Sequence, residues 1–196
     1  MTTATLAAHD ETHAPPRMAI FGMTIFLASE AMLFAGLIGG YIVLRLSSAA
    51  WPPLPEYPKL PIMLTGINTI FLITSSFTYH FAEGAVKKGK KGLFWLGVTV
   101  LLGATFLVIQ GFEWTHLHHE GLWFNKGGAY GSSFFLLTGF HGMHVAIGVL
   151  MILIAFLRQL GGAYTRQNHT YLILAGMYWH FVDVVWVFLY SVLYLI

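Results

Sequence analysis

The chain has 196 residues, of which 57% are hydrophobic and only 9% charged, against roughly 25% charged residues in an ordinary soluble domain. Lipid rather than water is the solvent this composition suits. The formal net charge of +2 comes from basic residues in short segments between apolar blocks, which gives nucleic acid binding no footing. Cysteine is absent, which excludes disulfides, iron–sulfur clusters, covalently attached c-type haem and cysteine-ligated copper.

Residues 1–18 read as a polar tail. It carries His9, Asp10, Glu11 and His13 and has no apolar core, so no cleavable signal peptide is expected there. Residues 19–196 read as a single all-α membrane domain of five transmembrane helices. The spans run approximately from Ala19 to Leu46, Leu60 to Glu83, Gly92 to His116, Gly131 to Leu157 and Thr170 to Ile196. Each meets the roughly 20 residues that a helix needs to cross a hydrocarbon core. Continuous apolarity, without short alternating strands, excludes a β-barrel and leaves helices to satisfy the backbone.

In the first span Glu30 lies near the middle, with no basic residue within two helical turns on its own helix. A carboxyl so placed is costly in hydrocarbon, about 2.5 to 3.5 kcal/mol on insertion scales, and its neutral form is favoured. It reads either as a proton-handling group or as a neutral acid bonded between helices. Gly36 and Gly40 form a small-xxx-small pair that permits close helix approach. The link that follows, Trp51-Pro-Pro-Leu-Pro55 with Pro58, is incompatible with helix.

Thr65, Asn68, Ser75 and Tyr79 of the second span form a polar stripe on one helical face, which should face protein. Gln110 and Glu113 of the third span share a face and read as an interhelical hydrogen-bonding patch. His116, His118, His119 and Glu120 follow at its outer end. They read as solvated interfacial groups more readily than as a zinc or copper site. Asn125-Lys-Gly-Gly128 marks a turn.

His141 and His144 stand three apart in the fourth span. His180 and Asp183 stand three apart in the fifth and read as a buried pair, each fixing the other's charge and tautomer. Facing histidines could instead hold a b-type haem, which would make the chain a stand-alone cytochrome or, with its acids, a small transporter. Aromatic residues near span ends, among them Trp51, Tyr57, Trp95, Trp114, Trp123, Phe124, Tyr164, Tyr171, Tyr190 and Tyr194, read as interfacial belts.

Basic residues set the expected orientation. With the amino terminus cytoplasmic, the inner segments hold Arg17, Lys87, Lys88, Lys90, Lys91, Arg158 and Arg166, and the outer ones Arg45, Lys59 and Lys126. That asymmetry predicts a cytoplasmic amino terminus and a carboxyl terminus outside.

Taken together, the motifs resemble the subunit III family of haem-copper cytochrome c and quinol oxidases, in a short, five-helix bacterial form. The residues carrying the likeness are Ser29-Glu30, Asn68-Thr69, Gln110-Gly-Phe-Glu113, Tyr130-Gly-Ser-Ser-Phe-Phe, Thr138-Gly-Phe-His-Gly-Met-His144, Arg158-Gln-Leu160, and Tyr178-Trp-His-Phe-Val-Asp-Val-Val-Trp-Val-Phe-Leu-Tyr190. The resemblance implies a non-catalytic subunit that binds no haem or copper itself. It would pack beside the catalytic subunit I, with subunit II in the same complex, in a bacterial cell membrane. Haem and copper would reside in those partners. Glu30 matches the family's carbodiimide-reactive carboxyl near the proton-uptake side. Arg158 matches a residue that resembles a phospholipid headgroup ligand. Asn68, Gln110, Glu113, His141, His144, Trp179, His180 and Asp183 match a buried polar and aromatic core. The implied role is support of proton uptake, stability of the catalytic subunit and lipid binding. Longer members carry two further amino-terminal helices that wall a lipid-filled cleft; the first span here matches their third helix. An accessory subunit of a nitric oxide reductase is the related alternative.

Overall fold

A peptide group in hydrocarbon must find its hydrogen-bond partner inside the chain, and an apolar run of membrane-crossing length does so as a helix. The computed structural model describes residues 16–52, 58 and 60–195. The tail with His9, Asp10, Glu11 and His13, residues 53–57 of the proline-rich link, Lys59 and Ile196 lie outside the described residues. Among the described residues every regular element is helical. They are α1 (Pro16–Leu46), α2 (Ile62–Lys87), α3 (Leu93–His119), α4 (Gly128–Leu160) and α5 (Thr170–Tyr190), with a π-helical turn, Ser191–Leu195, completing the last span. All five long helices have the length and apolarity to cross a membrane.

Several helices run past the expected spans. α2 continues to Lys87 rather than stopping at Glu83, because these two residues pair one turn apart, Nζ to Oε1 at 2.6 Å. Apolarity marks the length of helix suited to lipid, whereas polar end residues that pair with one another prolong the helix beyond it.

α2, α3, α4 and α5 pack in sequence, and α5 returns against α2 to close a four-helix ring. α1 lies outside this ring, against α4 and α5. Burial follows that arrangement: 56% of the most apolar stretch of the fifth span is buried within the chain, against 6% of the first. Gly36 and Gly40 therefore do not bring α1 close to another helix of the chain, since a Cβ at either would meet nothing within 4 Å. The close approaches belong instead to Gly103 of α3 and Gly148 of α4. A Cβ there would come within 2.7 and 2.6 Å of the Trp179 indole of α5. Trp179 is thus clamped between two glycines, and its Nε1 donates to Ser75 Oγ of α2 at 3.0 Å.

The polar stripe on α2 faces protein as its spacing requires. Thr65, Asn68, Ser75 and Tyr79 are all at most 1% exposed. The α2–α3 turn is tight. Gly92 has φ +64° and lies where a Cβ would stand 2.7 Å from the Ala82 carbonyl oxygen, so only glycine fits. Lys90 N–H donates to Ala85 O at 2.9 Å, and Gln159 Nε2 of α4 donates to Lys91 O at 2.9 Å, pinning the turn to the ring.

Aromatic residues at the span ends depart from a simple lipid-facing belt. Tyr164 and Tyr194 are buried, and rings pair with rings. Trp51 meets Tyr41 and Tyr130 edge-on at 5.6 and 5.3 Å, and Tyr164 stacks on Tyr171. Trp95 and Phe124 keep exposed faces.

Candidate functional site

Glu30 lies midway along α1 and His144 midway along α4. Their side chains meet, with His144 Nε2 3.0 Å from Glu30 Oε2, and both are largely withdrawn from the surface, at 6% and 18% exposure. The partner that Glu30 lacks on its own helix therefore arrives from another. His144 Nδ1 lies 2.7 Å from Phe140 O one turn back. Facing a carbonyl, Nδ1 must carry a hydrogen and donate. A neutral imidazole then offers Nε2 as an acceptor for the Glu30 O–H; an imidazolium donates from Nε2 to the carboxylate. The two arrangements differ by one proton displaced along one hydrogen bond. Tyr178 stacks beside the imidazole at 6.4 Å, its hydroxyl donating to His144 O at 3.2 Å, and Phe34 packs edge-on at 5.1 Å.

His180 and Asp183 make no direct pair among the described residues, and His180 is only partly buried; each meets Ser76 instead. Ser76 Oγ of α2 lies 2.9 Å from His180 Nδ1 and donates to Asp183 Oδ2. A serine hydroxyl can donate once while accepting once, so it links the two groups into a chain. Asp183 Oδ1 is buried and finds no partner among the described residues.

Gln110 and Glu113 are both buried but serve different neighbours. Gln110 Nε2 donates to Thr138 O of α4 at 2.8 Å. Glu113 Oε1 accepts from Tyr194 O–H at 2.7 Å and from Thr65 Oγ1 at 3.2 Å, tying α3 to α2 and the last turn. Asn68 Nδ2 donates to Phe106 O at 3.1 Å. His141 is fully buried. It stacks on Trp186 at 4.7 Å and meets Phe106 edge-on at 5.8 Å, and neither ring nitrogen has a partner among the described residues. Tyr194, which reads from sequence as an interfacial ring, is instead buried and donates to Glu113; the contacts of Thr138 and Trp186 carry no sequence signal, because a threonine or aromatic inside an apolar span looks like ordinary core.

Arg158 stands at the end of α4. Its guanidinium lies over the Tyr164 and Tyr171 rings, at 5.5 and 5.6 Å from their centroids. Burial pushes the Tyr164 phenol above its ordinary value while Arg158 pulls it down, so the contact is cation to neutral ring at physiological pH.

Among the described residues no three His, Asp or Glu side chains gather as a metal site. The exposed cluster at the end of α3 holds, among the described residues, a single pair, His116 Nε2 to Glu120 Oε1 at 3.3 Å. Both nitrogens of His144 are engaged, by Phe140 and Glu30, and His180 Nδ1 is engaged by Ser76, while the His141 imidazole is enclosed by the Trp186 and Phe106 rings.

A family model described as cytochrome c oxidase subunit III matches residues 2–196. Cytochrome c oxidase subunit 3 of Thermostichus vulcanus is 38% identical over 98% of this chain and 94% of its own. The subunit of the same name from Synechocystis is 41% identical over 94% and 78%. Cytochrome bo(3) ubiquinol oxidase subunit 3 of Pseudomonas aeruginosa is 37% identical over 95% and 89%. With nearly its whole length matched, this chain belongs to the cytochrome c oxidase subunit III family, a subunit family of the haem-copper oxidases.

Proposed function

We propose that this chain is a non-catalytic core subunit of a proton-pumping terminal oxidase in a bacterial cell membrane, packed beside the haem-bearing subunit I in a complex with subunit II. In this reading its amino terminus is cytoplasmic and its carboxyl terminus outside. Support for that orientation is the gathering of Lys87, Lys88, Lys90, Lys91, Arg158 and Arg166 at the ends and turns on one side of the bundle.

The observation that carries the reading is the Glu30–His144 contact at mid-span. An acid and an imidazole facing each other in hydrocarbon form a unit that can hold a proton without exposing a bare charge to lipid. Beside a catalytic subunit that takes up protons, such a unit would buffer proton uptake. Haem and copper would be supplied by the partner subunits. Arg158, braced by two tyrosine rings, would bind a phospholipid headgroup and so help stabilise the complex. Names of relatives span cytochrome c and ubiquinol oxidases, so the electron donor is a property of the partners.

Purification tests this reading. The chain, carrying an affinity tag, should co-migrate with a haem-bearing subunit in constant ratio, and oxygen consumption rather than nitric oxide consumption should fall when it is deleted. Isolation of the chain without any haem-bearing companion would overturn it.

A further inference from the structure

At the Lys-rich end of the bundle, on the outer side of α2 and α3, lies a hollow of about 590 Å³. It is lined by His80, Phe81, Gly84 and Ala85 of α2, by Lys88 and Lys90 of the turn, and by Trp95 of α3. The hollow is distinct from the Arg158 site, which is formed by α4, α5 and their connection.

Its chemistry divides by depth. Lys88 and Lys90 stand at the mouth, exposed, with no ion pair to a described residue. Phe81 and Trp95 pack on each other at 5.2 Å and present apolar faces, at 51% and 37% exposure. Gly84 and Ala85 leave the floor shallow. Their neighbour Lys87 is turned away into its pair with Glu83. The main chain beneath the two mouth lysines is fixed: Lys88 N–H donates to Gly84 O and Ala85 O, and Lys90 N–H to Ala85 O, while the turn itself is tied to α4 through Lys91 O. The turn thus roots both lysines beside the aromatic wall before any ligand arrives.

We propose that this hollow is a binding site for an anionic phospholipid, distinct from the Arg158 site. Lys88 and Lys90 take the phosphate, His80 lies deeper as a polar contact, and Phe81 and Trp95 take the first part of an acyl chain. Basic pockets between transmembrane helices at a membrane surface hold lipid phosphates in this manner, and the volume falls within the roughly 300–1,000 Å³ of small-molecule sites. A free phosphate would use the mouth alone and leave the apolar wall uncovered. A zwitterionic lipid would bring its own headgroup cation beside the two lysines, which like-charge repulsion disfavours.

The test uses the purified oxidase complex, with bound phospholipid counted by mass spectrometry after washing in mild detergent. The Lys88→Gln/Lys90→Gln variant should lose about one anionic phospholipid per chain. Lys87→Gln and Arg158→Gln should keep that molecule, the first showing that nearby positive charge alone does not hold it. Equal lipid counts in the double variant and the parent would overturn the proposal. A second measurement does not depend on retention. Phosphatidylglycerol with brominated acyl chains, supplied in nanodiscs, should quench the fluorescence that Trp95→Phe removes several-fold more than brominated phosphatidylcholine does. Equal quenching by the two lipids, or displacement of bound lipid by inorganic phosphate alone, would also overturn it. If the complex fails to form at all with the parent chain, it is the oxidase assignment that falls, and lipid retention is then counted on the isolated chain with the same two outcomes.

Discussion

Glu30 and His144, 114 positions apart in sequence, share one hydrogen bond across the α1–α4 contact. Because Phe140 O fixes the hydrogen on His144 Nδ1, the opposite nitrogen must accept when the ring is neutral, and so the carboxyl must donate. The geometry makes the protonated acid the natural partner of the neutral ring, with no structural change needed to exchange the proton between them.

Glu30→Gln and Glu30→Leu should therefore behave differently. The glutamine amide can still donate to His144 Nε2, so the complex should assemble and unfold as the parent does, while labelling by a hydrophobic carbodiimide at this position is lost. The leucine leaves Nε2 buried and unpaired, which costs about 1–3 kcal/mol. Thermal unfolding of the purified complex and mass spectrometry of labelled peptides check both outcomes. Undiminished labelling in Glu30→Gln would remove Glu30 from the proposed role.

Ser76→Ala should be more damaging than a partly buried serine suggests. It strips the link between His180 and Asp183, and one Asp183 oxygen already has no partner among the described residues. We expect a loss of about 1–3 kcal/mol, read as a lower unfolding midpoint, and partial rescue by Ser76→Thr, which restores a hydroxyl. A fully stable alanine variant would show that the bridge contributes nothing.

Two glycine substitutions give opposite results for a geometric reason. Gly148→Ala drives a methyl to 2.6 Å from the Trp179 ring and should cost about 1–3 kcal/mol through overpacking. Gly36→Ala meets open space and should leave the chain's own stability unchanged or slightly raised, since alanine is the better helix former. Circular dichroism during thermal unfolding of the two variants distinguishes them.

Sequence reading reached the element level easily, because crossing length and continuous apolarity leave helix as the answer. It also reached the buried face of α2, since Thr65, Asn68, Ser75 and Tyr79 repeat at helical spacing. It could not say which helix each polar group would meet. Gln110 and Glu113 share a stretch of α3 yet turn to α4 and α2, because buried positions one turn apart on a helix inside a ring can face different neighbours. Ser76 had no signal of its own beside Ser75. Gly36 and Gly40 looked like a packing motif and are not one within this chain, whereas Gly103 and Gly148, without such spacing, receive the largest side chain of the core. Pairing between distant residues is a property of the ring's arrangement, which local periodicity does not encode.

Proton uptake by the intact oxidase is the most direct measure of the central claim. Complexes carrying the parent chain and Glu30→Gln, matched for haem content and subunit ratio, should be compared by stopped-flow with a pH-indicating dye during turnover. The Glu30–His144 unit predicts slower proton uptake in the variant at equal assembly. Uptake at the parental rate across the pH range would contradict it.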